Sequence, residues 1–166
     1  MKTLLVLRHA KSSWNNAGMS DHERPLNKRG KADAPRMGEL IKREELTPDL
    51  IISSTANRAL MTAKRVALAA DYEEVIKTNR NFYLAPPEVY IHFLNSVDDG
   101  NERVMVVGHN GGVEDLINVL TGTWEQMPTA ALAQIALPID HWSELSEETE
   151  GKLINHWIPK GLPFDR

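Results

Sequence analysis

The sequence predicts a three-layer α/β/α sandwich whose central sheet is mostly parallel and has an antiparallel edge. Apolar runs at residues 3–7, 50–52 and 103–107 lack polar alternation, as in strands buried on both faces of a helix-covered parallel sheet. Helical patterns separate these runs, and that β-α-β order favours parallel pairing. Two more strand-like segments, 131–137 and 152–158, are separated by polar residues and predict antiparallel pairing with each other.

The helical segments have recognisable ends. The first is predicted from about Lys28 to Glu45, behind Asn27 as N-cap, and Pro35 inside it predicts a kink or a later start. Its apolar residues recur on one face, as in a helix that packs on a sheet. The remaining predicted elements are a strand over 73–78 and helices over 57–70, 86–97 and 113–120.

Composition limits the class of protein. A chain of 166 residues suits one core, so we expect a single domain over residues 1–166. The absence of cysteine excludes disulfides, thiolate chemistry and Cys-type zinc sites. A net charge of -4 argues against binding to nucleic acid or to anionic membranes. The apolar run at the start is too short for a signal peptide, so we expect a cytoplasmic protein; its oligomeric state stays open.

Polar residues with catalytic potential follow three of the predicted strands. Arg8 and His9 come directly after the first, Arg58 lies in the helix turn after the second, and His109 follows the fourth. The carboxyl ends of parallel strands share one edge of a sheet, where α/β folds bind ligands. An arginine near the positive end of a helix dipole indicates a shared anion. Guanidinium groups suit phosphate oxygens and an imidazole nitrogen can attack phosphorus, so the set predicts phosphoryl transfer through a phosphohistidine.

In their order and spacing these residues resemble the histidine phosphatase superfamily, and most closely its SixA-like phosphohistidine phosphatase branch. The matching motifs are Arg8-His9-Ala10-Lys11-Ser12 with Asn15, Arg24-Pro25-Leu26 to Gly30, Ser53-Ser54 with Arg58 and Thr62-Ala63, and Gly108-His109-Asn110. The resemblance implies a phosphatase. Because arginine supplies the positive charge, we expect no metal requirement and no cofactor.

Carried over by position, the resemblance implies a role for each matching residue. His9 would be the residue that becomes phosphorylated, and Arg8, Arg58 and His109 would surround the phosphoryl group. To serve in this way His109 would need a proton, which the nearby arginines oppose unless bound phosphate compensates. Two further residues match positions that often help to bind the phosphoryl group, namely Asn15 and Ser53.

Two departures from the family pattern bear on the substrate. Ala10 stands where glycine is commoner, and residues 81–85 lack the carboxylate that many members use to protonate the leaving oxygen. Glu88, Asp21 and Tyr83 are the candidate acids. A phosphorylated imidazole can leave as a neutral ring without an acid from the protein. The absence of this carboxylate therefore favours phosphohistidine on a protein as the substrate. The alternatives are a small phosphorylated substrate, hydrolysed by a phosphomonoesterase of the same superfamily, and a phosphoprotein-binding module without turnover.

Overall fold

The computed structural model describes residues 1–15 and 17–165, and these form a six-stranded sheet with helices on both faces. The strands are β1 (Lys2–Arg8), β2 (Leu50–Ser54), β3 (Ile76–Asn79), β4 (Arg103–Gly108), β5 (Leu132–Leu137) and β6 (Lys152–Trp157). The helices are α1 (Lys28–Arg43), α2 (Asn57–Ala69), α3 (Pro87–Leu94) and α4 (Gly112–Thr121).

The strand order is β3-β2-β4-β1-β5-β6. The first four strands in this order are mutually parallel, whereas β5 pairs antiparallel with both β1 and β6. The predicted fold class is therefore confirmed. In the parallel register Arg8 lies opposite Gly108 and Ser53 opposite Val107, so the polar residues that follow β1, β2 and β4 meet at one edge.

Each face of the sheet packs against its own pair of helices. Leu4 and Val6 of β1 belong to the core under α3 and α4, and Leu5 and Leu7 to the core under α1 and α2. All four side chains are fully buried. This two-sided burial explains the unbroken apolar runs, because neither set of alternate residues meets solvent.

Two predicted boundaries change for local reasons. The start of α1 at Lys28 is confirmed, because the Asn27 side chain accepts from the Gly30 amide there, and the later start that Pro35 suggested as an alternative does not occur. β3 starts at Ile76 rather than near residue 73. The backbone amide of Ile51 on β2 donates to the Tyr72 hydroxyl instead of to a strand partner, which delays the pairing.

The second changed boundary is the end of α3, at Leu94 rather than near Val97. The side-chain amide of Asn95 there donates to the carbonyl oxygens of Trp142 and Leu145, at 3.0 and 2.8 Å.

In residues 1–15 and 17–165 no helix combines the length and the apolar character that crossing a bilayer requires.

Candidate active site

A cavity of about 290 Å³ opens at the carboxyl edge of the parallel strands. It is lined by Arg8, His9, Lys11, Ser12, Trp14, Arg24, Arg58, Leu84, His109, Asn110 and Thr129. These described lining residues include three arginines and a lysine but no carboxylate. Such a lining attracts anions, and its guanidinium groups match the oxygens of a phosphoryl group.

His9 lies in this cavity in a defined protonation state. Its side chain is buried, and Nδ1 lies 2.7 Å from the carbonyl oxygen of Ala10. A carbonyl oxygen can only accept, so Nδ1 carries the proton and Nε2 keeps its lone pair. Burial, with the nearby charges of Arg58 and Arg8, lowers the pKa of His9 to about 4. The imidazole is therefore neutral near pH 7, as a nucleophile must be.

The backbone beside His9 is tied to α2. The Ala10 amide donates to Thr62 Oγ1 at 2.9 Å, and the same hydroxyl donates to the carbonyl oxygen of Arg58 at 2.7 Å. Thr62 thus links the loop after β1 to the helix turn that carries Arg58. The Ala10 methyl group is fully buried in the core under α1 and α2, so the fold accommodates alanine where the family more often has glycine.

Arg58 is held by a carboxylate next to the cavity. Its Nη1 and Nη2 donate to the backbone oxygen and Oδ2 of Asp21, at 2.7 and 3.1 Å. Asp21 also accepts from Arg24 Nε at 3.0 Å and from the Tyr83 hydroxyl. These bonds, with that from Tyr83 the largest contribution, lower the pKa of Asp21 to about 2. Asp21 is therefore the ionised partner of two arginines and has no proton to give as a general acid.

Arg8 is anchored on the opposite side, through the segment between α4 and β5. Its Nη1 donates to the carbonyl oxygen of Met127 at 3.0 Å. The same carbonyl oxygen accepts a hydrogen bond from the Asn110 side-chain amide at 2.9 Å. The Met127 amide donates to Glu114 on α4 at 2.7 Å. The positions of Arg8 and of this segment are thus coupled.

His109 is the second imidazole of the cavity. Its ring centroid lies 5.2 Å from that of His9, and its Nε2 lies 2.9 Å from Ser54 Oγ. Burial lowers the pKa of His109 to about 3, and His9 and Arg58 add to the effect. Its Nδ1 is buried and has no hydrogen-bond partner among the described atoms. His109 is therefore neutral in the free protein and would need a bound anion to become a cation.

Gly108 brings His109 into this position. A Cβ atom at Gly108 would lie 2.0 Å from the Tyr90 hydroxyl oxygen, so no larger residue fits at the end of β4 without displacing Tyr90. The close approach of the two elements explains the glycine directly before the histidine.

The structure brings Arg8, His9, Arg58 and His109 together in the cavity, whereas the other predicted residues do not line it. Asn15 is exposed and does not line the cavity. The Ser53 hydroxyl donates to the carbonyl oxygen of Ser54, and strand alternation leaves Ser54, not Ser53, on the side of His109. Glu88 is exposed and lines a separate cavity between α3 and α4.

Tyr83, the remaining candidate acid, lies next to the cavity with its proton engaged. Its hydroxyl donates to Asp21, and this bond raises the pKa of Tyr83. Its ring packs edge-on against His109, with the centroids 5.5 Å apart. None of the three candidate acids therefore offers a free proton to a leaving group in the cavity.

Arg24 lines the cavity, although the sequence alone gives it no role. Arg24 is buried, and its Nη1 donates to Ser12 Oγ at 2.7 Å. Its guanidinium carbon lies 3.5 Å from the centroid of the Trp14 ring. Arg24 belongs to the Arg-Pro-Leu motif that matches the family, and that motif is the sequence signal for its place in the cavity.

Among the residues that the structure describes, no group of three or more His, Asp or Glu side chains is arranged to hold a metal ion.

The fold and the cavity define an α/β protein with a buried neutral histidine among arginine side chains. Residues 4–80 match the family model of the histidine phosphatase superfamily (branch 1). An uncharacterized chloroplastic protein of Arabidopsis thaliana is 29% identical over 157 residues, which are 86% of this chain and 70% of that protein. A 2,3-bisphosphoglycerate-dependent phosphoglycerate mutase of Bifidobacterium longum is 39% identical over 70 residues, 41% of this chain and 28% of the mutase.

Comparison with solved structures finds the same fold in SixA proteins. The SixA protein of Agrobacterium tumefaciens superposes with a TM-score of 0.79 at 27% identity, covering 95% of this chain and 98% of SixA. The protein histidine phosphatase SixA complexed with tungstate gives a TM-score of 0.80 at 20% identity, covering 95% and 97%, which shows the shared fold. The match over residues 4–80 and the likeness to the Agrobacterium protein support the histidine phosphatase superfamily and, within it, the SixA-like branch. Its family and its structural neighbours support a hydrolase with phosphatase activity.

Proposed function

We propose that the protein hydrolyses phosphohistidine on a phosphorylated protein, through a covalent phosphoryl group on His9. The observation that carries this proposal is the state of His9. It is buried and neutral, its Nδ1 proton is fixed by the Ala10 carbonyl, and it lies in a cavity that three arginines line. This combination provides an attacking lone pair and preorganised positive charge for the transferred oxygens.

Two displacements complete the reaction. In the first, the His9 Nε2 lone pair forms a bond to phosphorus while the bond from phosphorus to the substrate imidazole breaks. The substrate ring leaves as neutral imidazole when its other nitrogen carries a proton. In the second, a water oxygen attacks phosphorus and the bond to Nε2 breaks. His9 returns to its starting state, and the water proton passes to the phosphate product or to solvent. Arg8 and Arg58 stabilise charge on the transferred oxygens.

The missing acid supports a phosphoramidate rather than a phosphoester. An alkoxide leaves poorly without a proton donor, whereas imidazole can depart neutral. No carboxylate occurs among the described residues that line the cavity, and Asp21 beside it is ionised and bound by two arginines. The site as built thus suits a leaving group that brings its own proton.

The same cavity supports catalysis without a metal ion. Arg8, Arg24 and Arg58 provide the positive charge that a divalent cation supplies in other phosphoryl-transfer sites. We therefore propose a metal-independent phosphatase.

The decisive experiment compares kcat/KM for a phosphohistidine peptide with that for a sugar phosphate. We expect faster turnover of the peptide, loss of turnover in His9→Ala, and no change in His92→Ala, whose exposed histidine lies outside the cavity. Brief incubation with labelled substrate followed by denaturation should trap acid-labile phosphate on the wild type but not on His9→Ala. Faster turnover of the sugar phosphate would identify a phosphomonoesterase. Binding without turnover or trapped label would identify a phosphoprotein-binding module.

A further inference from the structure

Trp14 is a large apolar side chain left uncovered at the catalytic cavity. Its side chain is 74% exposed, although it lines the same cavity as His9. The Arg24 guanidinium covers one face of the indole, with its central carbon 3.5 Å from the ring centroid. Folded proteins usually bury tryptophan to a large extent, so an ordered but exposed indole at a ligand site indicates a binding role.

Leu84 makes a second exposed apolar contribution to the same cavity. It is 59% exposed, and its backbone has a φ of 52°, in the left-handed region that residues with a side chain rarely adopt. Both the exposure and the backbone conformation cost free energy in the free protein. Trp14 and Leu84 come from separate segments, so the apolar rim does not result from a single loop.

The cavity therefore has cations beside His9 and apolar side chains at its open side. A phosphoryl group bound by Arg8 and Arg58 directs the leaving group away from His9, because the attacking and leaving atoms lie in line. We propose that Trp14, with Leu84 lining the same cavity, binds the departing imidazole ring and makes the enzyme selective for phosphohistidine over ring-free phosphoryl donors. This inference rests on the proposed function. A flat imidazole can stack on an indole, and Arg24 already orders that indole, so little further entropy is lost on binding.

A merely structural role for Trp14 gives a different expectation. If the indole serves only to position Arg24, its removal should weaken every phosphoryl donor alike, since Arg24 lines the cavity for all of them. A binding surface for the leaving ring should matter only for substrates that carry a ring. The comparison therefore needs two donors with the same scissile bond, and phosphoramidate, whose leaving group is ammonia, supplies the one without a ring.

The experiment measures kcat/KM for a phosphohistidine peptide and for phosphoramidate with wild type, Trp14→Ala, Trp14→Phe and Trp124→Ala. Trp124 is the matched control, because it is 58% exposed and does not line the cavity. We expect Trp14→Ala to lower the ratio of peptide to phosphoramidate turnover about three- to tenfold. We expect Trp14→Phe to restore most of that ratio and Trp124→Ala to leave it unchanged. Inhibition by inorganic phosphate should be equal in wild type and Trp14→Ala.

Three results would overturn the inference. An equal loss for both donors, or weaker inhibition by phosphate, would assign Trp14 to the positioning of Arg24. Unchanged kcat/KM for both donors in Trp14→Ala would remove Trp14 from substrate recognition, while wild-type hydrolysis of the peptide would leave the proposed function standing. A wild type that does not hydrolyse the peptide would contradict both proposals together.

Discussion

Acid should destabilise this protein through the two buried histidines of the cavity, His9 and His109, and replacing both with asparagine tests that claim. Burial holds the pKa of His9 at about 4 and that of His109 at about 3, against an ordinary value of 6.5. The folded state thus binds fewer protons than the unfolded state below pH 6.5. The stability that neutral histidines preserve is fully present above that pH and is lost as pH falls toward the folded-state pKa values.

The size of the loss follows from the proton count. At about pH 5 both imidazoles are protonated in the unfolded chain and neutral in the folded one, so each costs about 1.4 kcal/mol per pH unit below 6.5. The cost reaches about 2 kcal/mol for each histidine and about 4 kcal/mol for the pair. Mutual repulsion between the two rings does not alter this figure, because neither ring is charged in the fold at that pH.

Urea unfolding at about pH 7.5 and about pH 5 measures the effect in the wild type, in the His9→Asn/His109→Asn double variant and in His92→Asn. Between the two values of pH, we expect the free energy of unfolding of the double variant to fall by about 4 kcal/mol less than that of the wild type. The exposed His92 variant should lose as much as the wild type. Equal losses in the double variant and the wild type would show that the buried rings accept protons in the fold, which would refute the reasoning.

The remaining predictions concern the supports of the site and its cofactor requirement. Gly108→Ala should lower the Tm, because its Cβ would lie 2.0 Å from the Tyr90 hydroxyl oxygen, and adding Tyr90→Phe should restore part of the loss; an unchanged Tm would contradict this. Thr62→Val should lower the free energy of unfolding by about 1–3 kcal/mol, since the buried Ala10 amide loses its acceptor. Thr62→Ser should retain most of the wild-type free energy of unfolding, because serine keeps the hydroxyl. Equal free energies of unfolding for the two variants, measured with urea, would count against the hydroxyl as the acceptor for the Ala10 amide. Chelation should leave phosphatase activity unchanged in steady-state assays, and activity lost to a chelator and restored by one divalent ion would show a metal requirement.

The parts of the fold that the sequence predicted well are those with two-sided burial. Residues 4–7 are fully buried, so their run of apolar side chains could indicate a central parallel strand without knowledge of its partners. β3 was harder, because it lies at the edge of the sheet with its side chains half-buried or exposed, and its start depends on the Tyr72 hydroxyl from outside the strand. The end of α3 likewise depends on contacts of Asn95 with a distant segment.

The candidate site could be predicted where residues sit next to strand ends. Arg8, His9 and His109 are positioned directly by β1 and β4, so sheet topology alone brings them together. The segment between β1 and α1 has no periodic pattern, and the side-chain bonds of Asp21 within it cannot be read from the sequence. Asp21 was therefore interpreted as a candidate acid, although three separate side chains bind its carboxylate. No spacing in the sequence reveals such an ion pair before the segment is folded.

The charge balance of the cavity gives one physical cause for two of its properties. Three arginines line the cavity, and the carboxylate of Asp21 binds two of them from outside the lining. The uncompensated positive charge adds to burial in keeping His9 neutral, so the same field that attracts a phosphoryl dianion also preserves the attacking lone pair. A bound dianion cancels that field and favours a proton on His109, whose Nδ1 lacks a partner among the described atoms. We therefore expect His109 to become a donor to the phosphoryl group once substrate is bound, while His9 must stay neutral until it attacks.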